Sequence, residues 1–87
     1  ANGLGTWDAA DIINCSWGGG APNTTLTTAF TWATTQGRGG LGVPVFISSG
    51  NGFSSSVSYP ASLSATLPGV IAVGATSDQD LRSGYSN

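Results

Sequence analysis

Asn51 stands between Gly50 and Gly52, directly after the serine pair Ser48-Ser49. This short stretch holds the side chains best suited to chemistry. Flanking glycines let the backbone and a neighbouring molecule come close to an amide that can donate two hydrogen bonds. A neutral donor of that kind stabilises an oxyanion that exists only in a transition state. Asn-Gly is also an ordinary turn dipeptide, and the tripeptide alone leaves both readings open. The serine hydroxyls need a base before they become useful nucleophiles. The chain contains no histidine, so no Ser-His-Asp triad can be assembled from these 87 residues alone. Cys15 is the single cysteine, and with no imidazole beside it a structural zinc site or a 2-His-1-carboxylate iron site lacks ligands. Any metal would have to be held by oxygen donors.

The charge balance narrows the partners. Two basic and four acidic residues give a net charge of -2, and charged residues make up 7% of the chain. There is no basic footprint for a phosphate backbone and no polybasic membrane patch, so nucleic acid is not expected as a partner. No apolar stretch approaches the length of a membrane span. The chain opens without a charged-then-apolar leader, as if cut from the middle of a longer one. At 87 residues it is one domain at most, burying roughly 60–65% of its unfolded surface. The hydrophobic residues, 39% of the total, fall in compact runs between turn residues, which argues against disorder. The polar surface is built from Ser, Thr, Asn and Gly, a style common among secreted bacterial proteins.

The elements that must position Asn51 follow from the apolar runs. Asp11–Ser16, with Ile12, Ile13 and Cys15, reads as a buried strand ending at the glycines Gly18, Gly19 and Gly20. From Asn23 to Gln36, Leu26, Ala29, Phe30 and Ala33 recur at helical spacing. Pro22 and Asn23 mark a start and Gly37 a stop. The threonines of this segment lower its intrinsic helix propensity, so packing against a sheet must hold it. Gly37–Gly42 reads as a turn. Val43–Ser48 is a second strand with Pro44 near its beginning, and Val70–Ala75 a third. Both are apolar without clean alternation, as expected when two faces are covered. Ser49–Leu67 reads as a long polar loop. Strand, helix, strand with this crossover predicts a parallel βαβ unit, extended by the third strand. Ligands of such sheets meet the loops at the carboxyl ends of the strands. Those are Ser16-Trp17-Gly18-Gly19, Ser48-Ser49-Gly50-Asn51-Gly52 and Thr76-Ser77-Asp78.

Six pieces in this order and spacing resemble the catalytic domain of the subtilisin-like serine proteases. They are Asp11–Gly18, Gly37–Gly42, Val45–Gly52, Tyr59–Ala61, Val70–Ala75 and Tyr85–Asn87. The resemblance covers nearly the whole chain. Ser16-Trp17-Gly18 together with Gly37–Gly42 looks closer to the kexin-like members. The implied fold class is α/β, a fragment of the parallel-sheet, three-layer α/β/α fold, with residues 1–87 as the central part of a peptidase domain.

By the same resemblance, the catalytic Asp and His lie before this region and the nucleophilic Ser after it. Asp8, Asp11, Ser16 and Ser49 therefore take no triad role. Asn51 matches the family's oxyanion-hole asparagine. Removing that donor costs about 2.7–4 kcal/mol, a figure carried over from subtilisin itself. Ser16, Trp17 and Gly18 match the edge segment that pairs with an extended substrate backbone, and Ser48, Ser49 and Gly50 match the wall of the primary specificity pocket. An extended peptide added to an edge gains main-chain hydrogen bonds whatever its sequence. Trp17 could instead be a core aromatic, Ser48 and Ser49 plain strand-end hydroxyls, and Tyr59-Pro60 a structural turn. The kexin branch has acidic residues after Ser-Trp-Gly, where this chain has Gly19-Gly20-Ala21-Pro22. A preference for basic substrates, and calcium bound at that point, are thus not implied.

The resemblance implies a secreted or cell-surface serine endopeptidase whose partners are a peptide or protein substrate and the remaining segments of the protease domain. No cofactor is expected in this segment, while calcium is compatible with a full domain. A rival reading is a non-catalytic peptide-binding module or degenerate relative that kept the cleft edge and lost the chemistry. A Rossmann-like nucleotide binder fails, because Gly37–Gly42 follows a helix instead of joining a first strand to one. Trp7 and Trp32 read as packing residues, Arg38 and Arg82 as solvated turn charges, and Asp78 and Asp80 as a hydrophilic loop. Cys15 reads as a buried, unreactive thiol. The isolated 87 residues are expected to show no triad-dependent turnover and to be unstable or to associate, since sheet faces and edges would stay uncovered.

Overall fold

The computed structural model describes residues 9–87; the expectations for Trp7 and Asp8 lie outside that range. Three strands, β1 (Ile13–Cys15), β2 (Val45–Ser48) and β3 (Val70–Val73), form one parallel sheet in the order β1-β2-β3. One helix, α1 (Thr24–Gln36), connects β1 to β2. The α/β class and the parallel strand, helix, strand order are those expected from the sequence. The registers place Ile13 opposite Val45 and Val45 opposite Val70.

The strands are shorter than the apolar runs that predict them. Ile13 opposite Val45 leaves Ile12 facing the Pro44 position, where no N–H can continue the ladder. Pro44 gives only its carbonyl, to the Ile13 amide at 3.0 Å, and Ile12 is exposed. β3 stops at Val73 because its neighbour β2 gives way after Ser48 to the turn at Gly50, which has φ 115°. Coverage of both faces is not found among the described residues. Cys15, Val45, Ile47 and Val70 are buried with Phe30 of α1 and Ala61, and Leu26, Leu63 and Leu67 pack against them. Ile71 and Val73 point to the opposite face and are exposed. The described helix and the Ala61–Ala65 3₁₀ segment therefore cover the same side of the sheet, and the alternation of burial along β2 follows from that.

Helix α1 starts where Asn23 caps it, the side-chain Oδ1 accepting the Leu26 amide at 2.9 Å. Its threonines turn inward on the backbone. Thr31, Thr34 and Thr35 donate to carbonyls four residues back at 2.8, 2.8 and 2.6 Å. Phe30 is the one buried residue of the helix, with Leu26 and Ala33 half-buried. Ala29, expected on the apolar stripe, is exposed, since the stripe is narrow and centred on Phe30. Trp32, expected to pack, is 54% exposed on the outer surface.

The turn after α1 is tied back to it, with Val43 N–H donating to the Ala33 carbonyl at 2.8 Å. Gly42 has φ 84°, and a Cβ there would land on the Thr34 carbonyl, so only glycine serves. Arg38 is not freely solvated. Its Nε lies 3.7 Å from Asp11 Oδ1 and its Nη1 donates to the Gly42 carbonyl at 3.4 Å. Arg82 likewise has a partner, with its guanidinium 3.9 Å from the centre of the Phe53 ring. Asp78 and Asp80 are exposed, as expected.

The segment Ser49–Leu67 is more than a polar loop. Tyr59, Pro60 and Ala61 are buried, the Tyr59–Pro60 peptide is cis, and the 3₁₀ turn Ala61–Ala65 follows. Leu63 and Leu67 bring it onto the core. The alternation of serines with single apolar residues hides this contribution in the sequence.

Candidate functional site

An open cleft of about 290 Å³ lies at the carboxyl ends of all three strands. Loop positions there are dictated by topology, because parallel strands deliver their carboxyl-terminal turns to one end of the sheet. Asn14, Cys15 and Ser16 come from β1 and its exit, Phe46 to Asn51 from β2 and its loop, and Val73, Gly74 and Ala75 from the end of β3. Tyr85 and Ser86 reach in from the tail. Among the described residues, no carboxylate or cationic side chain lines the cleft.

The structure brings together five of the predicted residues, Ser16, Ser48, Ser49, Gly50 and Asn51. Asn51 is exposed on the lip, and its side-chain amide makes no hydrogen bond to a described residue. The Ser49 hydroxyl is committed elsewhere: Ser49 is 4% exposed and its Oγ donates to the Asn87 carbonyl at 3.1 Å. Ser16 Oγ accepts from Asn14 Nδ2 at 3.0 Å. Cys15 sits at the floor, and burial pushes its thiol pKa up. It is a poor nucleophile there.

Trp17 and Gly18 stand beside the cleft and do not line it. Trp17 is half exposed, its ring 6.5 Å from that of Phe30 and inclined by 34°. One edge of the indole thus covers the core while the rest remains free. Gly18 runs against the Tyr59 turn. A Cβ there would come within 3.2 Å of the Tyr59 carbonyl, which also accepts the Gly19 amide at 2.7 Å. The third predicted loop, Thr76-Ser77-Asp78, does not reach the cleft. It turns away into a bridge of Thr76 with Arg82, closed by Ser77 N–H on the Leu81 carbonyl at 2.7 Å.

Sequence reasoning missed the roles of the tail. Ser86 is buried; its Oγ accepts the Ala75 amide at 2.9 Å and lies 3.0 Å from the Asn87 carbonyl. Asn87 holds the Asn51 loop from behind. Its Oδ1 accepts the amides of Gly52 and Ser54 at 2.8 and 3.0 Å, and its Nδ2 donates to Ser58 Oγ at 2.9 Å. The available signal was the Tyr85-Ser86-Asn87 tripeptide, which carried the resemblance without an assigned task.

An uncharged cleft with a free amide on its lip can bind an extended neutral chain and donate to an oxygen that gains negative charge. A family model described as the subtilase family matches residues 6–87. No curated protein matches the chain.

Proposed function

The chain belongs to the subtilase family, a family of serine peptidases, and from that premise we propose that it is the central portion of a subtilisin-like endopeptidase domain. In this reading it supplies the oxyanion donor and one side of the substrate cleft. The observation that carries the reading is the free amide of Asn51 on the lip of an uncharged cleft at the carboxyl ends of the strands.

The reaction joins the hydroxyl oxygen of a serine to the peptide carbonyl carbon while a histidine takes the hydroxyl proton. The carbonyl oxygen becomes the oxyanion, and the histidine then returns the proton to the leaving amine. With no histidine in these 87 residues, the triad comes from outside them. Asn51 donates to the oxyanion. Because the amide is neutral and needs no rearrangement, it acts on charge that appears only in the transition state. The backbone of Ser16-Trp17-Gly18 pairs with the extended substrate, with the free part of the Trp17 indole beside it. Ser48, Ser49 and Gly50 form a pocket wall, in which the buried Ser49 fixes shape through Asn87 and leaves Ser48 to meet the substrate.

The uncharged, hydroxyl-rich surface supports secretion or display at the cell surface. No described helix is long and apolar enough to cross a membrane. Calcium in this reading belongs to other parts of the domain. The test is labelling with a serine-directed fluorophosphonate. The intact protein should be labelled at a serine outside residues 1–87, and the isolated segment should not react. An intact protein with no reactive serine would instead support a non-catalytic peptide-binding relative.

A further inference from the structure

We propose that Asn87 is a positioning residue that locks the Asn51 loop in its donating geometry; this rests on the reading of Asn51 as the oxyanion donor. Residues 51–57 are all exposed and contain no helix or strand, so their own packing gives them little rigidity. Asn87 grips this loop on both sides of Asn51. Its main-chain N–H donates to the Gly50 carbonyl at 3.0 Å, and its Oδ1 takes the Gly52 and Ser54 amides. Its Nδ2 then ties the far end of the loop through Ser58. The Ser49 hydroxyl closes the set on the Asn87 carbonyl.

The backbone has been shaped to this side chain. Gly50 has φ 115°, and a Cβ on it would land on the Asn87 amide and on Ser58 Oγ. Phe53, at φ 49°, donates its N–H to the Tyr85 carbonyl at 2.9 Å, with Arg82 over its ring. Two successive parts of the tail therefore hold one loop. Asn87 does not line the cleft, and among the described residues its side chain bonds only Gly52, Ser54 and Ser58, so the side chain acts on a substrate through the loop that carries Asn51. An asparagine suits the task because its oxygen takes two backbone donors while its nitrogen supplies one. It adds no charge that would oppose the oxyanion. Catalytic hydrogen bonds depend on such preorganisation, because a displaced donor must be moved into place during the reaction.

The experiment is a double-mutant cycle in the intact peptidase that contains this segment, using Asn51→Gly, Asn87→Ala and the pair, with kcat and KM measured on a peptide substrate. Asn87→Ala should lower kcat about ten-fold or more and leave KM within about two-fold, and in the Asn51→Gly background it should cost less than about two-fold. If Asn87→Ala does not yield folded protein, Ser58→Ala runs the same cycle. It removes only the acceptor of Asn87 Nδ2 and should show the same dependence on Asn51 with a smaller loss. Equal losses in both backgrounds, or a loss carried by KM, overturn the positioning role. A normal kcat for Asn51→Gly alone overturns the reading of Asn51, and the positioning role with it. A large loss there, with additive behaviour at position 87, overturns only the positioning role.

Discussion

The phenolic oxygen of Tyr59 donates to the main-chain carbonyl of Asn23 at 2.9 Å and lies 2.8 Å from Thr27 Oγ1. It ties the buried turn beside the cleft to the first turn of α1. The same Tyr59 takes the Gly19 amide on its carbonyl. One residue thus connects the helix start, the segment after β1 and the segment after β2.

Tyr59→Phe should destabilise the folded domain by about 1–2 kcal/mol, because a half-buried hydroxyl acceptor pair loses its partner. Denaturant unfolding of the intact protein measures this. Asn23→Ala, which removes the cap on the Leu26 amide, should cost about 1 kcal/mol, and the two losses should not be additive, because both substitutions loosen the same helix start.

Glycines separate conformation from space. Gly39 and Gly42 both have positive φ, but a Cβ at Gly39 meets nothing within 4 Å while one at Gly42 lands on the Thr34 carbonyl. Gly39→Ala should cost about 1–2 kcal/mol for the left-handed conformation alone. Gly42→Ala should cost about 3 kcal/mol or more, because the turn must also move away from α1. Equal midpoints in chemical unfolding would contradict the packing of this turn against the helix.

Burial raises the Cys15 pKa, and the sign of the consequence follows from the thiol being an acid. The folded state keeps its proton at pH values where the unfolded chain has lost it. The contribution to stability is complete below the unfolded thiol pKa and declines as pH rises beyond it. Alkylation with iodoacetamide at about pH 8 should be slower in the folded protein than in denaturant, since the thiolate is the reacting species and Cys15 is buried.

Much of the scaffold was legible because it is local. Asn23, the Phe30-centred stripe and Gly37 mark α1 by capping and period, and the apolar runs around Ile13, Val45 and Val70 mark the strands. What was not legible depends on partners distant in the chain. Ile71 and Val73 read as buried from their type, yet they face away from the side that α1 and Ala61 cover. Arg38 and Arg82 read as solvated until Asp11 and Phe53 came beside them. At the site, Asn51 was visible from its flanking glycines, and the loops after β1 and β2 from the order of the strands. The grip of Asn87 on Gly50, Gly52 and Ser54 spans more than thirty residues of chain, and no local spacing encodes it.

Steady-state kinetics of Asn51→Gly in the intact peptidase test the central claim most directly. The free amide of Asn51 should matter only when the carbonyl oxygen carries charge, so kcat should fall by about 10²–10³ while KM stays within about two-fold, the size of loss known from subtilisin itself. A kcat within about three-fold of the unsubstituted enzyme, or a loss borne by KM, would contradict the assignment of this loop as the oxyanion donor.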